Sequence, residues 1–398
     1  MASTRLGDCD GPAILSYGFR PFFLFGALYA GLSMILWLPQ FDGELELATL
    51  FAPVDWHIHE LLFGYLGAVV TGFLFTAVPN WTGRMPIRGT PLLILFVLWA
   101  AGRLAVTFSA HIGWAIAMAI DVAFLGAVAV IVAREIFAGS NWRNLKVLAP
   151  LVLLLVANIG FHIEAHHTGV SDFSRRLALA VPVMLIMLIG GRIVPSFTRN
   201  WLVRENPGRL PAPFDRFDLA VMAATVAALG VWVAVPFGAF TGVALALSGV
   251  LQTMRLSRWA ADRAWREPLI FMLHIGYAFI PLGLALLAVS QFLPGIPPLA
   301  GVHALGAGAI GTMTLTVMVR ATLGHTGREM RASVVLKLLF ACVLISPAAR
   351  IAEALGIGAS STLLQVSAIA WFIAFTGFGV VFAPAVFRHR ANAAAPST

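Results

Sequence analysis

Ten histidines are the side chains best equipped to do chemistry in this sequence. Neutral imidazole is the commonest protein ligand for transition metals, and its proton comes and goes near neutral pH. The string Trp-His-Ile-His-Glu (56–60) sets His57 and His59 beside the carboxylate of Glu60. Residues three or four apart share one side of a helix. His57 and Glu60 therefore head a stripe of small residues, Gly64, Ala68 and Gly72. His303 heads a second such stripe with Ala307 and Gly311, and Asn158, His162 and His166 form a polar stripe of their own. Small residues let a neighbouring helix or a flat ligand approach the backbone, and imidazole at the head of such a groove suits a metal ion or a haem iron. His57, His162 and His303 are expected to share one site, with His166 on the same stripe as His162. His59 lies half a turn off the His57 face and reads equally as ligand or as interfacial residue. His111 and His167 read as interfacial.

The elements that must position these residues follow from hydropathy. Hydrophobic residues make up 60% of the 398 and charged residues 11%, against about 25% charged in an ordinary soluble domain. A spanning helix needs about 20 mostly apolar residues. Twelve segments qualify: 21–39, 56–79, 90–108, 111–134, 146–166, 177–195, 217–236, 239–259, 268–293, 300–321, 333–355 and 360–387. Backbone groups in lipid must be satisfied within the segment, so these are helices. The expected fold class is all-α, a polytopic membrane protein of about twelve helices. It divides into an N-terminal arm (1–19), one membrane domain (20–388) and a disordered tail (389–398). The connection 196–216 carries Pro207, Pro211 and Pro213 and splits the domain into segments 20–195 and 217–388. That division suits a transporter-like duplication, although no residue-level repeat links the two halves.

The net charge of +8 does not signal nucleic acid. The arginines fall in short loops between apolar runs, where they act as topology determinants. Arg84 and Arg88, Arg134 and Arg143, Arg199 to Arg216, Arg255 to Arg266, and Arg328 and Arg331 occupy alternate loops, while the first intervening loop carries Asp42, Glu44, Glu46 and Asp55. Both termini are thus expected in the cytoplasm. His57, His59, His111, His162, His166, His167 and His303 then collect at the outer face, and His274, His325 and His389 at the inner. Arg175 and Arg176 break the charge rule on the outer side, where they suit acidic lipid or the propionates of a haem. Arg103 with Asp121, and Arg350 with Glu353, are expected as intramembrane ion pairs. Cys9 and Cys342 are too far apart to pair, no Cys-x-x-Cys-His haem attachment motif occurs, and residues 1–19 do not read as a cleavable signal.

Longer strings carry a resemblance. Arg-Pro-Phe-Phe (20–23), Trp-His-Ile-His-Glu-Leu-Leu-Phe-Gly-Tyr (56–65), Pro-Asn-Trp-Thr-Gly-Arg (79–84), Gly-Gly-Arg-Ile-Val-Pro-Ser-Phe-Thr-Arg-Asn-Trp-Leu (190–202), His-Ala-Leu-Gly-Ala-Gly-Ala-Ile-Gly-Thr-Met (303–313) and Arg-Ala-Thr-Leu-Gly-His-Thr-Gly-Arg (320–328) resemble the NnrS family of bacterial inner-membrane proteins. The resemblance implies haem and copper in the membrane domain and a part in the response to nitric oxide, alongside denitrification. It adds His325 to the candidate metal ligands, on the cytoplasmic side and away from the outer group.

The expected function is therefore a haem- and copper-binding inner-membrane protein that limits nitrosative stress, with the lipid bilayer and nitric oxide or a related small ligand as its partners. Whether it turns over a substrate stays open. A twelve-helix secondary transporter, or a metal-holding sensor or assembly protein, are the alternatives. The orientation is directly testable. Reporter fusions after residues 140, 205 and 330 should report cytoplasm and one near residue 45 the outer side; a cytoplasmic signal at 45 inverts the arrangement.

Overall fold

The structure, a computed structural model, describes residues 11–389. Cys9, Arg5 and the tail beyond His389 lie outside the described residues. Twelve helices are long and apolar enough to cross a membrane. They are α1 (Phe19–Phe41), α2 (Pro53–Thr82), α3 (Thr90–Thr107), α4 (Trp114–Ala138), α5 (Trp142–Thr168) and α6 (Asp172–Glu205). The second six are α7 (Arg216–Ala234), α8 (Ala239–Ser257), α9 (Pro268–Val289), α10 (Pro298–His325), α11 (Val334–Ala354) and α12 (Ser360–Val386). The all-α, twelve-span expectation holds.

Two boundaries move, for local reasons. Helix α2 opens at Pro53, three residues before the apolar run, because proline at the first helical position loses no hydrogen bond. Helix α6 continues to Glu205 through Pro195 and the polar string that sequence reading gave to a loop, so the following connection shrinks to 206–215. Asp215 closes that connection as the cap of α7, accepting from the backbone N–H groups of Phe217 and Asp218. Its hydrogen bond from Arg258 Nη2, at 2.5 Å, pulls the carboxyl down to about 2.

Burial separates central from peripheral helices. In the apolar windows of α3, α4, α7, α8 and α11 only 39% of residues are buried, whereas the figure is 78% in α2 and 67% in α6 and α10. Leu104, Val130, Leu219 and Leu338 point outward from the peripheral helices, as expected where lipid is the solvent. The packing order repeats every four helices. Within α1–α4, α5–α8 and α9–α12 the first helix packs on the second and the third on the fourth. The fourth packs on the first helix of the next set, and α12 closes the ring on α1. The second member of each set is a central helix, and each contains a π-helical turn: Glu60–Tyr65 in α2, Ile186–Gly190 in α6 and Ala304–Gly311 in α10. The 206–215 connection lies inside the second set.

The small-residue stripe of α2 faces protein. A Cβ at Gly26 of α1 would stand 3.1 Å from Ala68 Cβ, and one at Gly72 would meet the Phe23 ring at 2.8 Å. Ala68→Leu should therefore overpack the α1–α2 contact and lower stability by about 1–3 kcal/mol. Thermal unfolding in detergent checks this against Val130→Leu, at an outward-facing position, which should leave the transition unmoved; equal transitions would place Ala68 on a free surface.

Candidate metal centre

The densest polar cluster is assembled by the first five helices near the head of α2. His59 and Glu60 sit at the entry to the first π turn, Arg103 comes from α3, Asp121 from α4, Asn158 and His162 from α5, and Tyr29 from α1. His59, Glu60, Arg103, Asp121, Asn158 and His162 are all buried. Arg103 is the central cation. Its Nη1 donates to both oxygens of Glu60, at 2.8 and 2.9 Å, and its Nη2 to Asp121 Oδ1. The Tyr29 hydroxyl donates to Glu60 Oε2. Room for the guanidinium exists because residue 64 has no side chain: a Cβ there would stand 2.6 Å from Arg103 Nη1.

Two imidazoles converge on the far oxygen of Asp121. His59 Nε2 and His162 Nε2 each lie 3.2 Å from Asp121 Oδ2, and Asn158 Nδ2 donates to the same oxygen at 2.8 Å. His59 Nδ1 is 2.9 Å from Glu60 Oε1. His59, Asp121 and His162 thus offer ligand atoms all within 4.8 Å of one another, from three different helices. Both nitrogens of His59 face acceptor oxygens, Nδ1 that of Glu60 and Nε2 those of Asn158 at 3.0 Å and Asp121, so a proton on either nitrogen has a partner. A metal ion at Nε2 would take the place of a proton there and leave Nδ1–H on Glu60, the outer-shell carboxylate that fixes ring orientation and raises ligand basicity.

The other sequence candidates go elsewhere. His57 is helical, and two residues along a helix turn the side chain by about 200°. It therefore stacks on Trp37, with ring centroids 4.1 Å apart, and its buried Nδ1 has no hydrogen-bond partner among the described residues. His303 receives a hydrogen bond from Arg350 Nη2 at 2.7 Å, and Arg350 Nη1 donates to Glu353 at 2.9 Å. His57 on Trp37 and His303 on Arg350 therefore do not join His162. His166 stacks on Trp114 at 4.3 Å on the surface. Arg175 pairs with Asp172, and Arg176 donates to the Val233 carbonyl at 3.3 Å; neither touches the cluster. His325 stacks against Tyr17 and Phe19 on another part of the molecule.

Sequence reading paired Arg103 with Asp121, and both pairs, this one and Arg350–Glu353, are present. It did not place Asp121 in the site. The available signal was a carboxylate seven residues into α4, with only apolar and small residues on either side until Arg134. Tyr29 gave no signal.

The fold and this cluster define a multi-pass membrane protein with a buried His/Asp site suited to a single metal ion. The sequence matches the family described as NnrS protein over residues 13–390, and the chain belongs to the NnrS family. No curated protein matches it significantly.

Breaking a buried ion pair by removing one partner leaves an uncompensated charge and typically costs about 3–5 kcal/mol. Arg103→Gln should lose about that much, since it strands both Glu60 and Asp121. The double change Arg103→Gln with Glu60→Gln should recover part of the loss. Unfolding midpoints of metal-free protein in detergent check this, and a double variant no more stable than the single one would show that Glu60 does not depend on Arg103.

Proposed function

We propose that this protein is a copper-binding protein of the bacterial inner membrane that works, with haem, in the relief of nitric oxide stress. The observation that carries the reading is the convergence of His59, Asp121 and His162, buried and within 4.8 Å of one another. Imidazole and carboxylate donors suit first-row transition ions, and imidazole in particular suits copper, zinc and iron. Charge argues for copper among these. Glu60 and Asp121 contribute two negative charges against the one positive charge of Arg103. The residual −1 is balanced by a proton on His59, or equally by a monovalent ion. Cu(I) is the monovalent member of that group; a divalent ion would leave an unbalanced charge in a site closed to water, which is costly.

Copper bound there supplies a redox centre able to take up nitric oxide. The chain's own residues do the rest. Glu60 holds His59 in one orientation, Arg103 holds Glu60 and Asp121 apart and charged, and Asn158 fixes the Asp121 oxygen. Phe51, Phe63 and Phe161 stand 5.0, 5.0 and 5.3 Å from the His59 ring. They surround the imidazole with apolar rings and exclude water. Because these rings fill the space over the imidazole, the cluster fits a single ion and not a porphyrin.

Copper content of purified protein, normalised to folded chain, tests the reading. His59→Ala, His162→Ala and Asp121→Asn should abolish stoichiometric copper. Glu60→Gln should weaken affinity by about 10–100-fold, the usual size of an outer-shell effect. His111→Ala and His166→Ala should retain it. Cu(I) binding should also release about one proton per ion, because metal and proton compete for one nitrogen. Parent-like copper in both His59→Ala and His162→Ala would sink the proposal.

A further inference from the structure

At the end of the bundle that carries His325, the three central helices α2, α6 and α10 part around a cavity of about 570 Å³. This is within the range of small-molecule sites, about 300–1,000 Å³. It opens because facing positions are small: Ala77 on α2, Ser196 on α6 and Ala321 on α10. Its walls are largely apolar, with Phe73 and Leu188 among them. Its polar character is one-sided. Arg192, Arg320 and His325 line it, and no carboxylate does. Arg192 has no hydrogen-bond or ion-pair partner among the described residues, and Lys146 adds positive charge beside it. Arg320 donates to the Leu269 carbonyl at a long 3.3 Å, lies over the Phe197 ring at 4.2 Å, and keeps a buried Nε without a hydrogen-bond partner among the described residues.

Elsewhere Arg103 is neutralised by Glu60 and Asp121 and Arg255 by Asp218, while buried Arg20 donates to the carbonyls of Ala385, Val386 and Arg388. Half-buried Arg320 and exposed Arg192 instead face a cavity with no carboxylate in its lining. Guanidinium groups facing an apolar cavity call for an anion from outside the chain, and their planar donor forks match carboxylate and phosphate. We propose that this cavity binds an amphipathic anion, its apolar body between α2, α6 and α10 and its carboxylate or phosphate on Arg320 and Arg192. Two sources share that chemistry: a haem, through its propionates and with His325 in reach as a ligand, and an anionic phospholipid, through its headgroup. The site lies on residues separate from the copper cluster and stands or falls independently of it.

The full chain, purified in detergent, is offered haemin in one arm and phosphatidylglycerol in the other. Haem is read as the pyridine haemochrome, and lipid by native mass spectrometry with phosphatidylcholine as control. The parent should hold one of the two at about one per chain. Arg320→Gln, which removes the cation, and Ala321→Phe, which fills the cavity and keeps both arginines, should each cut that occupancy by about tenfold or more, the loss expected for a charge-assisted anion contact. His59→Ala should leave it unchanged while removing copper. Loss confined to the haemin arm, and shared by His325→Ala, assigns haem; loss confined to phosphatidylglycerol assigns lipid. If Arg320→Gln does not yield monodisperse protein, Arg192→Gln, at an exposed position without partners, takes its place with a several-fold loss expected. A parent that takes up neither probe, or full occupancy in both the arginine and Ala321→Phe variants, overturns the proposal.

Discussion

Arg103 is the charge around which the first five helices are arranged. An ion moved from water into a bilayer-embedded protein loses several kcal/mol of solvation that only well-placed opposite charge restores. Glu60 and Asp121 meet the two sides of its guanidinium, and each carboxylate then has one remaining edge to satisfy. Glu60 uses its edge on Tyr29 and His59, and Asp121 uses its own on Asn158, His59 and His162. The metal-type site is thus the outer rim of a charge-compensation network. Its ligands are held by the same bonds that make the buried arginine tolerable, which gives them little freedom to relax when an ion arrives or leaves.

The other two helix sets solve a related problem in their own ways. In each, an arginine from the peripheral pair reaches the π turn of the central helix or the residue that opens it. Arg255 of α8 donates to the Met187 carbonyl inside the second π turn at 3.2 Å, and also engages Asp218 and Tyr277. Arg350 of α11 reaches His303, immediately before the third. A π turn leaves backbone groups out of the regular ladder, and a guanidinium with five donors is well suited to use them. Only the first set combines its arginine with two carboxylates and two imidazoles, so only there does the arrangement leave a net negative charge for a metal to occupy.

Much of this was legible in the sequence. Twelve apolar runs of spanning length dictated twelve helices, and ionisable residues inside them marked the pairs Arg103–Asp121 and Arg350–Glu353. The choice between His57 and His59 was not legible in the same way. Periodicity shows that the two diverge, but it does not say which face of α2 meets α4 and α5 and which meets Trp37 of α1. Neighbour relations between helices distant in sequence are set by packing of the whole ring, and no residue pattern within one span encodes them. The length of α6 was hidden for another reason. Its last ten residues mix Arg199, Asn200, Arg204 and Glu205 with Phe197, Trp201, Leu202 and Val203, so a hydropathy reading ends the helix early.

The π turn at Glu60–Tyr65 has a consequence for how such a site can originate. It accommodates one residue more than an α-helical turn of the same rise, as one residue inserted into an otherwise regular helix would. Without that residue the backbone would run straight, and everything toward the head of α2 would be rotated by about 100° about the helix axis. The body of the helix, below Leu66, would keep its packing on α1 and α4. The lineage could therefore acquire an inward-facing imidazole and carboxylate in one genetic step while the rest of the bundle stayed as it was. Shortening of that segment in a related sequence would mark a protein that kept the scaffold and lost the centre.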